Sequence, residues 1–197
     1  MSCAPNPDEC GGTGGCSGAT AEVLFSYVMQ AGAVEETSYP YVAETGTCDE
    51  TKLTTPVANI SGFVTLPRNQ YDPLMAAVAT IGPIAISVDA GWSGYAEGIY
   101  PASDCGSTID HGVVLVGYGT DEELGMDYWL VRNSWGTDWG EDGYIRLERQ
   151  SAEEQPYAVD KDNYAGIGCD GDPVMVKVCG TCAILYDTSY PTGAGLL

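Results

Sequence analysis

Basic residues are scarce in this 197-residue sequence. Seven Lys and Arg stand against 28 Asp and Glu, which gives a net charge of −21 at pH 7. A surface this negative repels phosphate backbones and anionic lipid headgroups, so neither nucleic acid nor a membrane is expected as a partner. The acidity itself has two interpretations, high solubility or adaptation to an acidic compartment in which carboxylates are partly neutralised.

Long apolar runs are also absent. No stretch of 18 apolar residues occurs, so no membrane-spanning helix is expected. The first ten residues, MSCAPNPDEC, do not read as a signal peptide.

Cysteine, in contrast, is abundant. Eight cysteines favour disulfides formed on the secretory route. The sequence NIS agrees, because it makes Asn59 a possible glycosylation acceptor. A zinc site is the alternative, since Cys179 and Cys182 form a C-x-x-C, but it is disfavoured because His111 is the single histidine and no second C-x-x-C completes a ligand set. Neither a metal nor a cofactor is expected.

Apolar spacing and turn residues predict two helices. Residues 19–31, ATAEVLFSYVMQA, place their apolar side chains on one helical stripe that stops at Gly32. A second helix is predicted in YDPLMAAVATIG, with Asp72 as N-cap, Pro73 at the first helical position and Gly82 at its end.

Strands are predicted to dominate the rest of the chain. The segments rich in β-branched and aromatic residues are VANISGFVTL, PIAISV, HGVVLVGYG, DYWLVRNS, GYIRLER and CAILYDTSY. The charged stretch at 121–127 is predicted to be a solvated hairpin tip.

The single histidine is the candidate for chemistry. His111 opens a predicted strand, and Gly112 beside it leaves room for a group to approach the ring. A lone histidine is more often structural, but a histidine base needs a partner that fixes its tautomer, and an amide oxygen can do this. Asn133 lies 22 residues on, across one hairpin, so adjacent strands could bring the pair together. A tryptophan over that contact would exclude water. The alternative is that Asn133 is a buried amide capping a loop.

Longer motifs point in the same direction. The strings DHGVVLVGYG, YWLVRNSWGTDWGEDGYIRL and YDTSYP, with GGCSGA and SYPY upstream, resemble a papain-family cysteine peptidase of the cathepsin L type over nearly the whole chain. The resemblance implies an α+β, papain-like fold. Residues 1–56 then form a remnant of the helical left domain, and residues 57–197 form an antiparallel, β-barrel-like right domain that carries the histidine and the asparagine.

The resemblance also implies roles for individual residues. His111 is the catalytic base, Asn133 orients it, Trp135 shields the pair and Trp139 packs in the same loop. In this family a cysteine thiolate, paired with the imidazolium, attacks the peptide carbonyl, and the histidine then protonates the leaving amine. The substrates are peptides or proteins, a pro-segment or protein inhibitor is a possible partner, and the compartment is lysosomal, vacuolar or extracellular.

The same resemblance implies a pocket for the substrate side chain two positions before the cut bond. Asp187 lies at its far end, where an ionised carboxylate could pair with an Arg of the substrate, unless it turns outward to solvent. The residues implied at the rim and walls of this pocket are Thr20, Ala21, Ser87, Ile109 and Asp110.

No nucleophile is found among the eight cysteines. The family signature C-G-[SA]-C-[WY] lies about 130 to 150 residues before the histidine, and counting back from His111 falls before Met1. None of the cysteines is followed by Trp or Tyr. The chain is therefore expected to be a fragment, about the C-terminal two thirds of a mature enzyme, that is inactive alone. The alternative is a non-catalytic papain-like protein that binds peptides.

Cysteine pairing is implied only in part. The resemblance pairs Cys3 with Cys48 and leaves Cys16 without its usual partner. The usual partner of Cys105 is replaced by Ala165, so a later cysteine would have to substitute. Segment 169–182 is an insertion relative to the family pattern, and no role is assigned to it. The cysteines whose pairing stays open are Cys10, Cys16, Cys105, Cys169, Cys179 and Cys182.

Overall fold

The computed structural model describes residues 2–197. Within that range the chain is α+β, as predicted, with helices α1 (Ala21–Ala31) and α2 (Tyr71–Thr80). The strands are β1 (Ala58–Asn59), β2 (Gly62–Thr65), β3 (Ile84–Val88), β4 (Ile99–Tyr100), β5 (His111–Asp121), β6 (Met126–Arg132), β7 (Tyr144–Glu148), β8 (Tyr157–Asp160), β9 (Val176–Cys179), β10 (Asp187–Thr192) and β11 (Gly195–Leu196).

Seven strands form one sheet in the order β2-β10-β3-β5-β6-β7-β4. All neighbours are antiparallel except β4 and β7, which run parallel. Over residues 2–197 the outer strands β2 and β4 do not pair with each other, so the sheet is open. The largely antiparallel sheet implied by the resemblance is therefore confirmed, and it is not a closed barrel. β4 contributes only two residues and its pairing to β7 ends the sheet.

The core lies on the face of this sheet that α2 covers. The inward side chains of the central strands are fully buried, among them Leu115, Trp129, Val131, Ile145 and Leu147. They pack with Leu74 and Val78 of α2 in one cluster. The β5–β6 hairpin turns at residues 122–125, in the charged stretch where a hairpin tip was predicted. The alternation of apolar residues thus fixes which face of the sheet is buried.

Three predicted element boundaries are wrong. α1 begins at Ala21 rather than at residue 19, and α2 begins at Tyr71 with Gln70 as N-cap, so Asp72 lies in the first turn. A carboxylate there still meets the positive end of the helix dipole, which explains why it looks like a cap in the sequence. The segment CAIL belongs to a short 3₁₀ turn, Thr181–Ala183, and not to a strand. No helix in the described range is both long and apolar enough to cross a membrane.

Helix α1 lies at the edge of the structure. None of its side chains is buried, and Leu24 is 49% exposed. One of its contacts to the rest of the fold is made by Phe25, whose ring lies 5.8 Å from that of Phe63 in β2. The apolar stripe that predicted this helix is therefore only partly covered within the described range.

Three disulfides connect distant parts of the chain. They join Cys3 to Cys48, Cys10 to Cys169 and Cys105 to Cys182. Cys16 is free and exposed, whereas Cys179 is free and buried. In the C-x-x-C, Cys179 is thus a free thiol and Cys182 is in a disulfide. The insertion 169–182 is joined by a disulfide to the rest of the fold at each of its ends. Within the insertion, β9 pairs with β8.

We expect limited proteolysis to cut residues 2–55 before it cuts the seven-stranded sheet. The reason is that α1 buries no side chain, whereas the central strands form the core, and regions with little burial open first. Fragments should be identified by mass spectrometry after reduction, because two of the disulfides involve this segment. A time course in which residues 2–55 resist as long as β5 and β6 would contradict the division of the chain at residues 56 and 57.

Candidate active site

His111 and Asn133 meet at one end of the β5–β6 hairpin. β5 begins at His111, and Asn133 directly follows the last residue of β6. The imidazole Nε2 lies 2.8 Å from the Oδ1 of Asn133. Register pairs Val114 with Arg132, so the two side chains reach each other across the end of the ladder. This juxtaposition is the one that the spacing of 22 residues suggested.

The Asn133 oxygen has a second donor that fixes its orientation. The backbone N–H of Ser134 donates to the same Oδ1 at 2.8 Å. The oxygen and not the amide nitrogen must therefore face both groups. Because an oxygen only accepts, the neutral imidazole carries its proton on Nε2, and Nδ1 keeps the lone pair of a base. Asn133 is itself held by its backbone N–H, which donates to the Gly143 carbonyl at 3.0 Å.

Tryptophan rings cover this contact. The Trp135 ring centroid lies 5.2 Å from that of His111 and is tilted by 33°. Trp139 meets Trp135 nearly edge-on at 5.0 Å. Trp135 is 41% exposed, so it forms the outer layer over the hydrogen bond. A covered hydrogen bond is stronger because water competes less for its partners.

Three carboxylates tie down the segment that leads into His111. The Asp89 carboxylate accepts the Thr108 N–H at 2.9 Å, and burial raises the pKa of Asp89. The Asp160 carboxylate, which is fully buried, accepts the Ile109 N–H at 3.0 Å. Asp110 makes the reciprocal hydrogen bond from this segment to the residues after β3, because its Oδ1 accepts the Ala90 N–H at 3.0 Å. The residues before the histidine are thus hydrogen-bonded to β8 and to the end of β3.

A cavity of about 760 Å³ opens beside His111. It lies between the glycine-rich loop before α1 and the strands β3 and β5. Four of the residues implied for the substrate pocket line it, together with the free Cys16, and these four are Thr20, Ala21, Ser87 and Asp110. Ile109 is not brought to this cavity. Its side chain is fully buried in a separate cluster with Ile167, Val178, Ala183 and Tyr186.

Asp187 lies directly behind the wall of this cavity. Its Oδ2 accepts the Ser87 hydroxyl at 2.6 Å, and it lines a second cavity of about 430 Å³ that also contains Glu22 and Arg68. The carboxyl does not turn outward to solvent. Burial, and then the negative charge of Glu22, raise the pKa of Asp187 to about 6, while the Ser87 hydrogen bond and Arg68 oppose the rise.

Comparison with known proteins identifies the class. The family described as papain family cysteine protease matches residues 1–167. The chain belongs to this family. It is 43% identical to cathepsin L of Sarcophaga peregrina over 142 residues, which is 70% of this chain and 42% of that protein. It is 42% identical to procathepsin L of Mus musculus over 163 residues, which is 79% of this chain and 45% of that protein. The chain therefore spans less than half the length of these relatives.

Solved structures confirm the papain-like fold. The bromelain protease from Ananas comosus, in complex with the E64 inhibitor, is similar with a TM-score of 0.71 at 33% identity, covering 93% of this chain and 74% of that one. The digestive procathepsin L 3 of Tenebrio molitor has a TM-score of 0.68 at 31% identity, covering 92% of this chain and 51% of that one.

Several residues of the site carried no signal in the sequence. Asp160 reaches the backbone of Ile109 from 51 residues away, and Cys16 shares the cavity with His111 although 95 residues separate them in the chain. Trp92, which packs against the tryptophans of the site, stands in an otherwise ordinary turn. Only Asp89, which directly follows an apolar strand, could have been identified as a polar residue at a strand end.

We expect Asp187→Asn to remove a pH-dependent loss of stability. The native carboxyl keeps its proton to a pH of about 6, whereas in the unfolded chain the pKa returns to 3.8. The native state therefore binds more protons between these values, so the free energy of unfolding falls as pH rises through this window. At pH 7 the variant should be more stable than wild type by up to about 3 kcal/mol, and near pH 3 the two should match.

Urea unfolding at a series of pH values measures this difference. Glu97→Gln is the control, because it makes the same change of charge at an exposed side chain. A difference between wild type and Asp187→Asn that stays constant from pH 3 to pH 7 would show that the carboxyl is not destabilised by burial.

Proposed function

We propose that this chain supplies the base, its orienting amide and part of the substrate cleft of a papain-type cysteine endopeptidase. The hydrogen bond between His111 Nε2 and Asn133 Oδ1 carries the proposal, because it leaves Nδ1 as the basic nitrogen of a ring whose orientation is fixed. A binding module has no use for such an arrangement. The membership of the chain in the family supports the reaction class.

The chemistry proposed for His111 is a two-way proton transfer. Nδ1 takes the proton of a thiol, and the thiolate attacks the peptide carbonyl. The imidazolium, whose Nε2–H still donates to Asn133, then gives the proton to the leaving amine. Trp135 and Trp139 keep water from the hydrogen bond during both steps, which preserves its strength as the charge on the ring changes.

We propose further that none of the cysteines of this chain is the nucleophile. Six of them are in disulfides, and Cys179 is buried away from solvent. Cys16 is exposed and lines the cavity, but it is not followed by the Trp or Tyr of the family signature. The attacking thiol then comes from a segment outside this sequence, and the chain alone is inactive.

The cavity beside His111 is the proposed peptide-binding cleft. Thr20, Ala21 and Ser87 give it small side chains, which leave space for an apolar substrate side chain. The similarity to a bromelain solved with the E64 inhibitor and to proforms of insect procathepsins supports an inhibitor or a pro-segment as a further occupant. The three disulfides and the acidic surface favour a lysosomal, vacuolar or extracellular site of action.

A comparison of two chains tests the proposed function. The chain as it stands should not hydrolyse a fluorogenic peptide and should take no label from a peptide epoxide at Cys16. The same chain extended by a family segment that carries C-G-[SA]-C-[WY] should be active. In the extended chain Asn133→Ala should lower kcat about 100-fold, the lower end of what a positioned general base contributes, with little change in KM.

The controls separate the two candidate functions. Asn59→Ala, at a half-buried asparagine in β1, should leave kcat unchanged. Hydrolysis by the original chain that disappears in Cys16→Ala would overturn the assignment of an external nucleophile. An extended chain that binds peptides but does not cleave them would favour the non-catalytic, peptide-binding alternative.

We also propose that Asp187 selects Arg at the second position before the cut bond. Its carboxyl lies behind Ser87, and an Arg that reached it would replace a costly buried charge with an ion pair. In the extended chain, kcat/KM for Arg substrates should rise as pH passes about 6, the pKa of Asp187, relative to Leu substrates. Asp187→Asn should remove this rise selectively. An equal effect on Arg and Leu substrates would refute the assignment.

A further inference from the structure

Trp92 is the buried member of the aromatic cluster around the histidine. It lies in the loop between β3 and β4, and only 1% of its surface is exposed. Its ring meets that of His111 edge-on at 6.4 Å and stacks with Trp139 at 6.5 Å. It also supports the underside of the exposed Trp135, at 6.4 Å. Trp92 therefore neighbours the histidine, the Trp135 ring beside the histidine, and the Trp139 ring that meets Trp135.

The indole N–H of Trp92 has a specific acceptor. Nε1 donates to the Sγ of Cys182 at 3.3 Å, in a fully buried contact. A buried N–H without an acceptor is costly, and sulfur is a weak acceptor that still satisfies it. The side chain of Trp92 has only one polar atom. This contact therefore sets the rotation of the indole about its side-chain bonds. The orientation of the ring against His111 thus depends on the position of a sulfur atom.

Cys182 is held rigidly enough to act as this anchor. It is bonded to Cys105, six residues before His111 in the chain. Its carbonyl accepts the Asp89 N–H at 3.0 Å, and Asp89 in turn accepts the Thr108 N–H. Its backbone is left-handed, with φ at 52°, a conformation that non-glycine residues adopt only where the surrounding structure enforces it. Cys182 is therefore connected to the segment that precedes the histidine, through Cys105, and to the end of β3, which pairs with the histidine, through Asp89.

We propose that Trp92 is a positioning residue for His111, and that the Cys105–Cys182 disulfide fixes the orientation of the indole by accepting its N–H. The edge of the indole blocks rotation of the imidazole away from Asn133. The sequence insertion that has no other role thus contributes, through Cys182, to the geometry of the base. The catalytic importance of the contact between Trp92 and His111 rests on the proposed function, but the contact itself does not.

The unaltered chain offers a direct readout, because His111 is its only histidine. Nitrogen-15 NMR of the imidazole reports the tautomer, and the exchange rate of the Nε2 proton with water reports the hydrogen bond to Asn133. Trp92→Phe keeps an aromatic ring but removes the N–H and part of the ring surface. We expect it to speed exchange of the Nε2 proton about fivefold, the factor that corresponds to loss of one typical hydrogen bond.

Trp129→Phe is the matched control. Trp129 is fully buried in the same hydrophobic cluster, but its aromatic neighbours are Tyr71 and Tyr118 rather than the histidine. Urea unfolding should give similar losses of stability for the two variants, while only Trp92→Phe changes the exchange of the imidazole proton. Equal exchange rates in both variants and wild type would overturn the positioning role.

The role of the disulfide is tested by removing it so that the indole N–H of Trp92 has no sulfur acceptor. The double variant Cys105→Ala with Cys182→Ala should speed exchange as Trp92→Phe does, and adding Trp92→Phe to it should produce no further increase. Independent, multiplying effects would overturn the link between the disulfide and Trp92. Removal of the distant bridge by Cys3→Ala with Cys48→Ala should leave the exchange rate unchanged.

One outcome that does not depend on these variants completes the test. In wild type, a nuclear Overhauser effect between the Trp92 indole and the His111 imidazole is required, and its absence refutes the contact even if the variants fail to fold. No activity is measured in any arm. A failure of the peptidase assay therefore speaks against the proposed function alone, and a failure of the NMR test speaks against the positioning role alone.

Discussion

One side-chain oxygen organises the candidate site. Asn133 Oδ1 accepts from the imidazole of His111 and from the backbone of Ser134, so the same atom fixes the tautomer of the histidine and the start of the loop that carries the tryptophans. The β5–β6 hairpin brings the two side chains together, and the ring of Trp135 lies 5.2 Å from that of the histidine. The carboxylates of Asp89 and Asp160 hold the strand entry in place.

Local sequence patterns predicted the elements that depend on local physics. Alternating apolar residues and glycine turns identified the central strands and the hairpin tip, and hairpin geometry related His111 to Asn133. The helix starts were missed by one or two residues because Asp72 suits the first turn of a helix as well as its cap. The family resemblance, and not periodicity, gave the Cys3–Cys48 bridge, which the structure contains.

The rest could not be predicted because it depends on long-range contacts. The partner of Cys105 was open among later cysteines, and in the structure it is Cys182, which lies in a left-handed turn. The same turn replaces the first half of a predicted strand. Ile109 was expected at a pocket wall, but the β8–β9 pair supplies a second apolar cluster that buries it. The sheet ends at β4, which has only two residues, and a strand that short leaves no pattern in the sequence.

The Cys10–Cys169 bridge determines whether the chain stays in one piece when its backbone is cut. It closes a loop across 159 positions, so most of the sequence lies inside one ring. In the chain-entropy account, closing a loop of that length destabilises the unfolded state by about 5 kcal/mol. It also means that a backbone nick anywhere within the ring leaves a single molecule. A chain cut by a peptidase in one of these loops can thus still keep both pieces of its fold together.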